Sequence, residues 1–246
     1  MPSRITQAYV SKSIADFPFH RIYQLDDYNN TEDPCVFFGA YRYEDIQLIN
    51  NHKGKTLVFW TGQDALDHSR FFIKECEHVT AHPKVYNKLK TEFENIKLVS
   101  PASFLNEAKP QKLWHKIYAY CPSSAAEYHG SEILSRLPYE ICIGLGDIPQ
   151  SQWRERGDEF YKDIFVGLCL SRFAGGGTSI IEMGLRGIAV ITNVFTLPNC
   201  IPWTDTDDVI RKIEAEKVHI GYYNRKLAQQ VWESLDHEYK WLEYEN

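Results

Sequence analysis

The fold of this chain is decided by one stretch in its second half, Phe165-Val-Gly-Leu-Cys-Leu-Ser-Arg-Phe-Ala-Gly-Gly-Gly-Thr-Ser-Ile-Ile-Glu-Met-Gly-Leu-Arg-Gly-Ile-Ala-Val-Ile191. An apolar run is followed by a glycine triplet, a helix-like segment and a second apolar run. The pattern predicts a buried strand, a tight turn, a helix and another strand. Such units form parallel sheets in which the helix crosses over the sheet.

The glycine triplet, Gly175, Gly176 and Gly177, opens directly onto the predicted helix, which starts near Thr178. Glycines let the backbone adopt positive φ angles and approach a ligand closely. The free N–H groups and the dipole at a helix N-terminus attract anions. Ser179 adds a second hydroxyl to the first turn. A purely structural turn would also explain the glycines.

Two charged side chains accompany this turn. Arg172, at the end of the strand, can make a charge-assisted contact to a diphosphate. Glu182 lies one helical turn after Thr178 among apolar residues, and a carboxylate placed there needs a hydrogen-bonding partner. The hydroxyls of a ribose would serve. The alternative is a capping box, whose spacing fits if Ser179 is the N-cap. The sequence leaves both readings open.

The same alternation of apolar runs and helix-like segments extends through most of the chain. Continuous apolar runs are typical of strands that are covered on both faces. The predicted strands are Cys35–Phe38, Thr56–Trp60, Glu77–Thr80, Ile96–Val99, His115–Tyr120, Glu140–Ile143, Ile164–Leu170 and Ile188–Ile191. The predicted helices are Tyr43–Asn51, His68–Cys76, Lys84–Glu94, Ser131–Leu137 and Thr178–Arg186.

The alternation breaks at Pro101–Leu113, which is the best candidate for a linker. We therefore predict an α/β protein of two Rossmann-like halves with parallel sheets, residues 1–105 and 110–246. The first half has about four recognisable strands, because the first 30 residues show no clear pattern. The tail, Tyr222–Asn246, is expected to form a closing helix, which either packs on the second half or crosses back to the first. Ligands should bind in a cleft between the halves, at the carboxyl ends of the strands.

Composition excludes several classes of protein. With 43% hydrophobic residues the chain of 246 residues can build a sizeable core, and its net charge of -6 argues against nucleic-acid binding. The six cysteines form no C-x-x-C pair, which indicates a reducing compartment and no zinc site. Neither a signal peptide nor an apolar stretch of about 20 residues is present. We expect a soluble, cytoplasmic protein.

The pattern Ser171-Arg-x-x-Gly-Gly-x-x-x-x-x-Glu182-Met-Gly-Leu-x-Gly-Ile resembles the donor-binding segment of GT-B glycosyltransferases. More narrowly, the chain resembles small glycosyltransferase-like proteins of large DNA viruses of algae and amoebae, from about Val36 to Lys217. The matching stretches are Val36-Phe-Phe-Gly-Ala-Tyr, Asn51-His-Lys-Gly-Lys, Phe59-Trp-Thr-Gly-Gln-Asp-Ala, Glu127-Tyr-His-Gly-Ser-Glu-Ile and Asn199-Cys-Ile-Pro-Trp.

The resemblance implies a compact GT-B-like arrangement with the donor on residues 110–246 and the acceptor on residues 1–105. Because GT-B enzymes are usually longer, the N-terminal half is expected to be truncated. In that family the glycine turn holds the pyrophosphate, and the glutamate holds the ribose. The donor-binding residues implied here are Ser123, Arg172, Gly175, Gly176, Gly177, Thr178, Ser179 and Glu182.

A transferase of the inverting type needs a base to take the acceptor's hydroxyl proton. Asp64 follows a predicted strand and a turn at Gly62, so it is the first candidate, and His68 is the second. Asp64 would also serve as the N-cap of the next helix. The loops after the strands place Gly39, Tyr41, Gly62 and Tyr128 near the expected cleft and acceptor.

Two acidic pairs suggest an alternative, the metal-dependent GT-A fold, in which a D-x-D motif holds a metal ion on the diphosphate. The candidates are Asp26-Asp27 and Asp205-Thr-Asp207-Asp208. The second opens a helix-like stretch, where acids favour the first turn. We therefore expect neither a metal nor a resident cofactor.

The function expected from these residues is sugar transfer from a nucleotide diphosphate sugar, a UDP-sugar before a GDP-sugar, to a saccharide or glycoprotein acceptor. Two alternatives stay open: a catalytically inactive module that binds nucleotide-sugar or glycan, and an epimerase-like nucleotide-sugar enzyme. If the chain is viral, it would act in glycan synthesis in the host cytoplasm.

Overall fold

The structure of the protein, a computed structural model, describes residues 3–15, 17, 19–66, 72–103, 105–122, 125–144, 160–173 and 177–245. The chain divides into two units, one formed by Met1–Phe104 with Asp236–Asn246 and the other by Leu105–Leu235. The division falls inside the segment Pro101–Leu113. Each unit has its own parallel sheet and its own apolar core. This architecture confirms the expected α/β class.

The first unit is built on a parallel sheet. Its strands are β1 (Ser3–Arg4), β2 (Gln7–Val10), β3 (Asp26–Asp27), β4 (Cys35–Phe38), β5 (Thr56–Trp60), β6 (Glu77–Thr80) and β7 (Ile96–Leu98). Strands β2 to β7 form a six-stranded sheet in the order β3-β2-β4-β5-β6-β7, and β1 lies outside this sheet. Every residue of β4 and β5 is buried, as their uninterrupted apolar sequences predict.

The helical segments of the first unit connect these strands. They are α1 (Phe19–Ile22), α2 (Tyr43–Asn51), α3 (Pro83–Leu89) and the 3₁₀ turns Lys12–Ile14 and Gln63–Leu66. Helix α3 begins with Pro83, whose fixed φ angle suits the first helical position. The helix predicted over His68–Cys76 is not observed in its described part, residues 72–76, and residues 67–71 lie outside the described residues.

The second unit repeats the architecture with five strands. They are β8 (Lys116–Tyr120), β9 (Ile141–Gly144), β10 (Ile164–Cys169), β11 (Ala189–Thr192) and β12 (Cys200–Ile201). The parallel sheet has the order β12-β11-β10-β8-β9. The helical segments are α4 (Ser131–Leu134), α5 (Gly177–Leu185), α6 (Thr206–Glu216), the 3₁₀ turn Lys217–His219 and α7 (Arg225–Ser234).

The tail does not form the single closing helix that its sequence predicts. Helix α7 ends at Ser234, and Asp236–Asn246 belongs to the first unit instead of the second. There the chain passes through a 3₁₀ turn, Lys240–Leu242, and ends in β13 (Glu243–Tyr244), which pairs antiparallel with β1. Trp241 anchors it, because its ring packs edge-on against Tyr23 at a centroid distance of 5.1 Å in the core.

The expectation of about four strands in the first unit is also wrong, because β2 and β3 come from the patternless first 30 residues. The buried Gln7 interrupts the apolar pattern of β2. Its side-chain amide donates to the carbonyls of Asn30 and Asp33, at 3.1 and 2.9 Å, which satisfies the buried group. Among the described residues, no helix is both long enough and apolar enough to cross a membrane.

Candidate functional site

The strand order of the second unit has a switch point between β8 and β10. These strands are neighbours, whereas β9, which lies between them in sequence, pairs with the other side of β8. The chain therefore reverses its direction of winding at this point. Open parallel sheets bind ligands at such switch points, outside the carboxyl ends of the strands.

Helix α5 follows β10 along the chain, and β10 ends at Cys169. Gly177 begins helix α5 and Thr178 lies in its first turn. Gly175, Gly176 and Ser123 were predicted as donor contacts and lie outside the described residues. The N-terminus of α5 thus follows a buried strand at the switch point, which is the geometry of an anion site.

Arg172 lies at the same edge of the sheet. Its backbone N–H donates to the carbonyl of Tyr128 at 3.2 Å, and its guanidinium is 3.5 Å from the carboxylate of Glu127. Both charged side chains are exposed, and an exposed ion pair contributes little free energy. Arg172 can therefore exchange Glu127 for an anionic ligand at small cost.

A buried pair that the sequence analysis missed links the two strand ends. Nδ1 of His129 and the Ser171 hydroxyl are 2.6 Å apart, across β8 and β10. Gly130, at φ +81°, brings the loop so close that a Cβ there would lie 2.8 Å from the Cβ of Leu170. His129 is thus a buried residue, although it lies in the loop that follows β8. The only sequence signal is the His-Gly pair itself.

Burial lowers the pKa of His129 to about 4. The unfolded chain binds this proton near pH 6.5, so between these values unfolding takes up a proton. We expect the free energy of unfolding to fall as the pH falls from 6.5 towards 4. In His129→Gln, which keeps a hydrogen-bonding partner for Ser171, the decline should be shallower. Urea titrations at several pH values measure the free energy of unfolding of both proteins. The same pH dependence in wild type and His129→Gln would contradict a lowered pKa at His129.

Glu182 has a protein partner. The hydroxyl of Tyr161 donates to its Oε2 at 2.8 Å. A capping box needs the acid at the third helical position, and because α5 begins at Gly177 that position is Ser179. The helix bounds therefore do not support the capping alternative. The ribose contact stays a prediction.

Further polar groups lie around Glu182 and its partner Tyr161. The guanidinium of Arg186 lies 4.7 Å from the ring centroid of Tyr161 and donates from Nη1 to the Glu182 carbonyl at 2.9 Å. Ser179 is buried, with its hydroxyl 3.4 Å from that of Tyr118. Its side chain therefore lies against the sheet, and a phosphate would meet its backbone N–H. Burial and the Glu182 charge raise the pKa of Tyr161 well above its usual value, so it stays a donor.

The first unit has its own switch point, between β2 and β4. Its organising residue is Asp45, a buried acid in the first turn of α2 that the sequence analysis missed. Asp45 accepts hydrogen bonds from the hydroxyls of Tyr9 and Ser11, at 2.8 and 2.7 Å, and from two backbone N–H groups. An acid three residues after the N-cap was the available signal.

Asp64 was predicted to face a cleft as the base, and it is buried instead. It accepts backbone hydrogen bonds from Gly62 and Ala65 at 2.7 and 3.1 Å, and from Ala40 and Thr61 at 3.3 and 3.2 Å. Desolvation raises its pKa to about 6, although these N–H groups oppose the shift. The carboxylate holds together the loops that follow β4 and β5. Its catalytic role stays a prediction, and His68 lies outside the described residues.

The predicted cleft residues lie in these loops. Gly39 has φ +80°, and a Cβ there would lie 2.8 Å from the ring of Tyr41. The Tyr41 hydroxyl bonds that of Thr61 at 2.8 Å, and Gly62 has φ +147°. Tyr128, in the second unit, packs its ring edge-on against His129 at 4.9 Å.

The acidic pairs are used by the fold. Asp205 caps α6 by accepting from the N–H of Asp208 at 2.8 Å, and Asp208 pairs with Lys212 at 2.7 Å. The pair Asp26-Asp27 forms the exposed edge strand β3. Within the described residues, no group of three or more His, Cys, Asp or Glu side chains could hold a metal ion.

Several solved structures have a fold similar to that of this chain. The crystal structure of TarM matches with a TM-score of 0.58 at 12% identity, over 85% of this chain and 53% of TarM. A mutant of S. aureus TarM in complex with Fondaparinux, alpha-GlcNAc-glycerol and UDP matches with a TM-score of 0.57 at 12% identity, over 82% and 52%. The apo form of the lipopolysaccharide outer core galactosyltransferase WaaB matches with a TM-score of 0.52 at 12% identity, over 85% of this chain and 72% of the WaaB chain.

At this identity the likeness shows the fold: parallel α/β architecture that matches GT-B glycosyltransferases. The chain spans about half the length of the TarM chains it matches. No protein-family model and no curated protein matches the chain.

Proposed function

We propose that this protein is a glycosyltransferase that moves a sugar from a nucleotide diphosphate sugar, first of all a UDP-sugar, to a saccharide or glycoprotein acceptor without a metal. The second unit would hold the donor and the first unit the acceptor. The observation that carries the proposal is the N-terminus of α5, at Gly177, at the carboxyl end of β10 beside the β8–β10 switch point. Together with Arg172, this terminus would supply the positive potential that a metal supplies elsewhere.

Each phosphate and ribose contact has a candidate in this arrangement. The diphosphate would accept hydrogen bonds from the first N–H groups of α5 and from the guanidinium of Arg172. In the structure this guanidinium forms an ion pair with the exposed Glu127. The ribose hydroxyls would donate to Glu182, which Tyr161 holds in place. Ser123, Gly175 and Gly176 remain proposed contacts on sequence grounds.

One observation favours a second candidate, a binding module without catalysis. The two Asp64 oxygens already accept from backbone N–H groups in the protein interior, so the first candidate base is occupied. The two candidates share the nucleotide site and differ in turnover. Slow hydrolysis of a UDP-sugar without acceptor would favour the transferase, since a module without catalysis releases no sugar.

The proposal is tested by thermal shift with UDP, GDP, TDP and their sugars, each in the presence of EDTA. A ligand that binds the native state raises the melting temperature, by more when it binds more tightly. We expect the largest rise with a UDP-sugar, and we expect the rise to persist in EDTA. A rise that EDTA abolishes and Mn²⁺ restores would overturn metal independence, and no rise with any nucleotide would overturn the donor site.

We further propose a cytoplasmic location, with viral glycan synthesis as the setting that the sequence resemblance implies. All six cysteines are free thiols, which suits a reducing compartment. Fractionation of cells that express the chain tests the location.

A further inference from the structure

Two segments of the second unit, residues 108–116 and 217–226, join into one surface. Lys112 and Tyr223 form an antiparallel bridge. The N–H of Leu113 donates to the carbonyl of Tyr222 at 2.9 Å, and the N–H of Gly221 donates to the carbonyl of Leu113 at 2.8 Å. Leu113 itself is buried in the apolar core of the second unit, so its side chain holds the junction of the two segments against that core.

Large aromatic rings cover this surface. Trp114, Tyr222 and Tyr223 are 43%, 69% and 54% exposed. Rings of this size contribute most when they are buried, and contiguous exposed apolar surface marks a binding site more often than chance. Beside them, a Cβ on Gly221 would meet nothing within 4 Å, so the surface is open there.

Cations lie over the rings. Nζ of Lys112 is 5.1 Å from the ring centroid of Trp114, and the guanidinium of Arg225 is 5.7 Å from that of Tyr223. Since paired residues of an antiparallel bridge project to the same side, Lys112 also adjoins Tyr223. These four side chains, Lys112, Trp114, Tyr223 and Arg225, form what we call the basic aromatic surface.

The local charge is opposite to that of the whole chain. Residues 108–116 and 217–226 contain no Asp or Glu, whereas the net charge of the protein is -6. Lys116 and Lys217 are offset by Asp163 and Glu214, at 2.9 and 2.6 Å. The other cations of these segments are Lys109, Lys112, Arg225 and Lys226, and of these Lys112 and Arg225 lie over the rings.

We propose that the basic aromatic surface binds an anionic saccharide chain. The rings would stack on the apolar faces of sugars, and Lys112 and Arg225 would pair with carboxylate, sulfate or phosphate groups on the chain. A nucleic acid would use the same chemistry but takes its affinity from many phosphate contacts, and this surface offers two ring-borne cations. The choice of a saccharide over a nucleic acid rests on the proposed function.

The surface is separate from the donor site. Trp114 precedes β8, so it lies at the amino ends of the strands, whereas the α5 N-terminus lies at their carboxyl ends. Five residues of strand span about 15 Å. The surface therefore acts as an accessory site that holds a polymeric acceptor and raises its concentration near the enzyme.

The test uses the full chain and calorimetric titration with an oligogalacturonate, its methyl ester of equal length, a heparin-derived oligosaccharide and an oligothymidylate. We expect binding of at least one acidic saccharide, weakening with salt, and little binding of the methyl ester. Trp114→Ala and Tyr223→Ala should each weaken it about three- to tenfold, while Tyr223→Phe keeps the ring and the affinity. The matched control is Tyr43→Ala, which removes a ring that is 69% exposed on the first unit.

Nucleotide-induced thermal shifts of the same variants monitor the donor site and the fold. Unchanged shifts with lost saccharide binding support the proposal. Acidic saccharides left unbound, equal affinity for the methyl ester, preference for oligothymidylate, or an equal loss in Tyr43→Ala would each overturn it. If the saccharide binds through this surface and no nucleotide binds, the proposed transferase fails and the accessory site stands.

Discussion

Replacing Asp64 by alanine is expected to lower the free energy of unfolding by about 3–5 kcal/mol. The change leaves the N–H groups of Ala40, Thr61, Gly62 and Ala65 without their acceptor. A buried polar group without a partner costs about 1–3 kcal/mol, and water entering the space left by the side chain recovers part of the sum. Urea unfolding followed by circular dichroism measures the loss.

The conservative change Asp64→Asn separates this structural role from that of a base. Asparagine keeps one acceptor oxygen but places its NH₂ group opposite the remaining backbone N–H groups. We therefore expect the free energy of unfolding to fall by about 1–3 kcal/mol. The control Asp26→Ala removes an exposed acid of the edge strand β3 and should change stability by less than about 0.5 kcal/mol. A catalytic base predicts the reverse for Asp64→Asn: transfer activity lost and stability nearly unchanged.

The pH dependence gives a further signature of Asp64. Its pKa is raised to about 6 in the folded protein, against an ordinary value of 3.8, so between these values the folded state holds a proton that the unfolded state releases. This contribution to stability is complete below about pH 4 and is lost as the pH rises through 6. The difference in unfolding free energy between wild type and Asp64→Asn should shrink over that range.

Glu182→Gln is expected to weaken nucleotide binding about tenfold to a hundredfold. The amide keeps one acceptor oxygen and loses the charge, and hydrogen bonds to charged groups are worth about 1.5–3 kcal/mol against about 0.5–1.5 for neutral ones. Tyr161→Phe removes the hydroxyl that holds Oε2 and should cost affinity in the same direction. Calorimetry with the best nucleotide from the thermal-shift screen measures both.

The matched control is Tyr118→Phe. Tyr118 is a buried tyrosine of the same core, and its hydroxyl reaches Ser179 instead of Glu182. It should lose stability without losing affinity. An unchanged affinity in Glu182→Gln, together with a lower melting temperature, would mean that the carboxylate serves Tyr161 and the helix, and that the donor site is misplaced.

The sequence by itself determined the central strands and the position of helix α5. Strands β4 and β5 have the bounds that their apolar runs predict, because a strand buried on both faces consists mostly of apolar residues. Strand β10 and helix α5 could be located for the same reason, because the strand and one side of the helix are buried. Local composition is sufficient where burial is extensive.

Only the tertiary structure decided how polar groups are paired. Gln7 sits in a buried strand because the backbone near Asn30 satisfies its amide. His129 meets Ser171 over a separation of 42 residues, and Tyr161 meets Glu182 over 21. The tail, predicted as a closing helix, instead adds β13 to the first unit. Hydrophobic burial is non-directional and leaves a periodic trace in sequence, whereas a hydrogen bond depends on where two distant atoms meet once the sheets have formed.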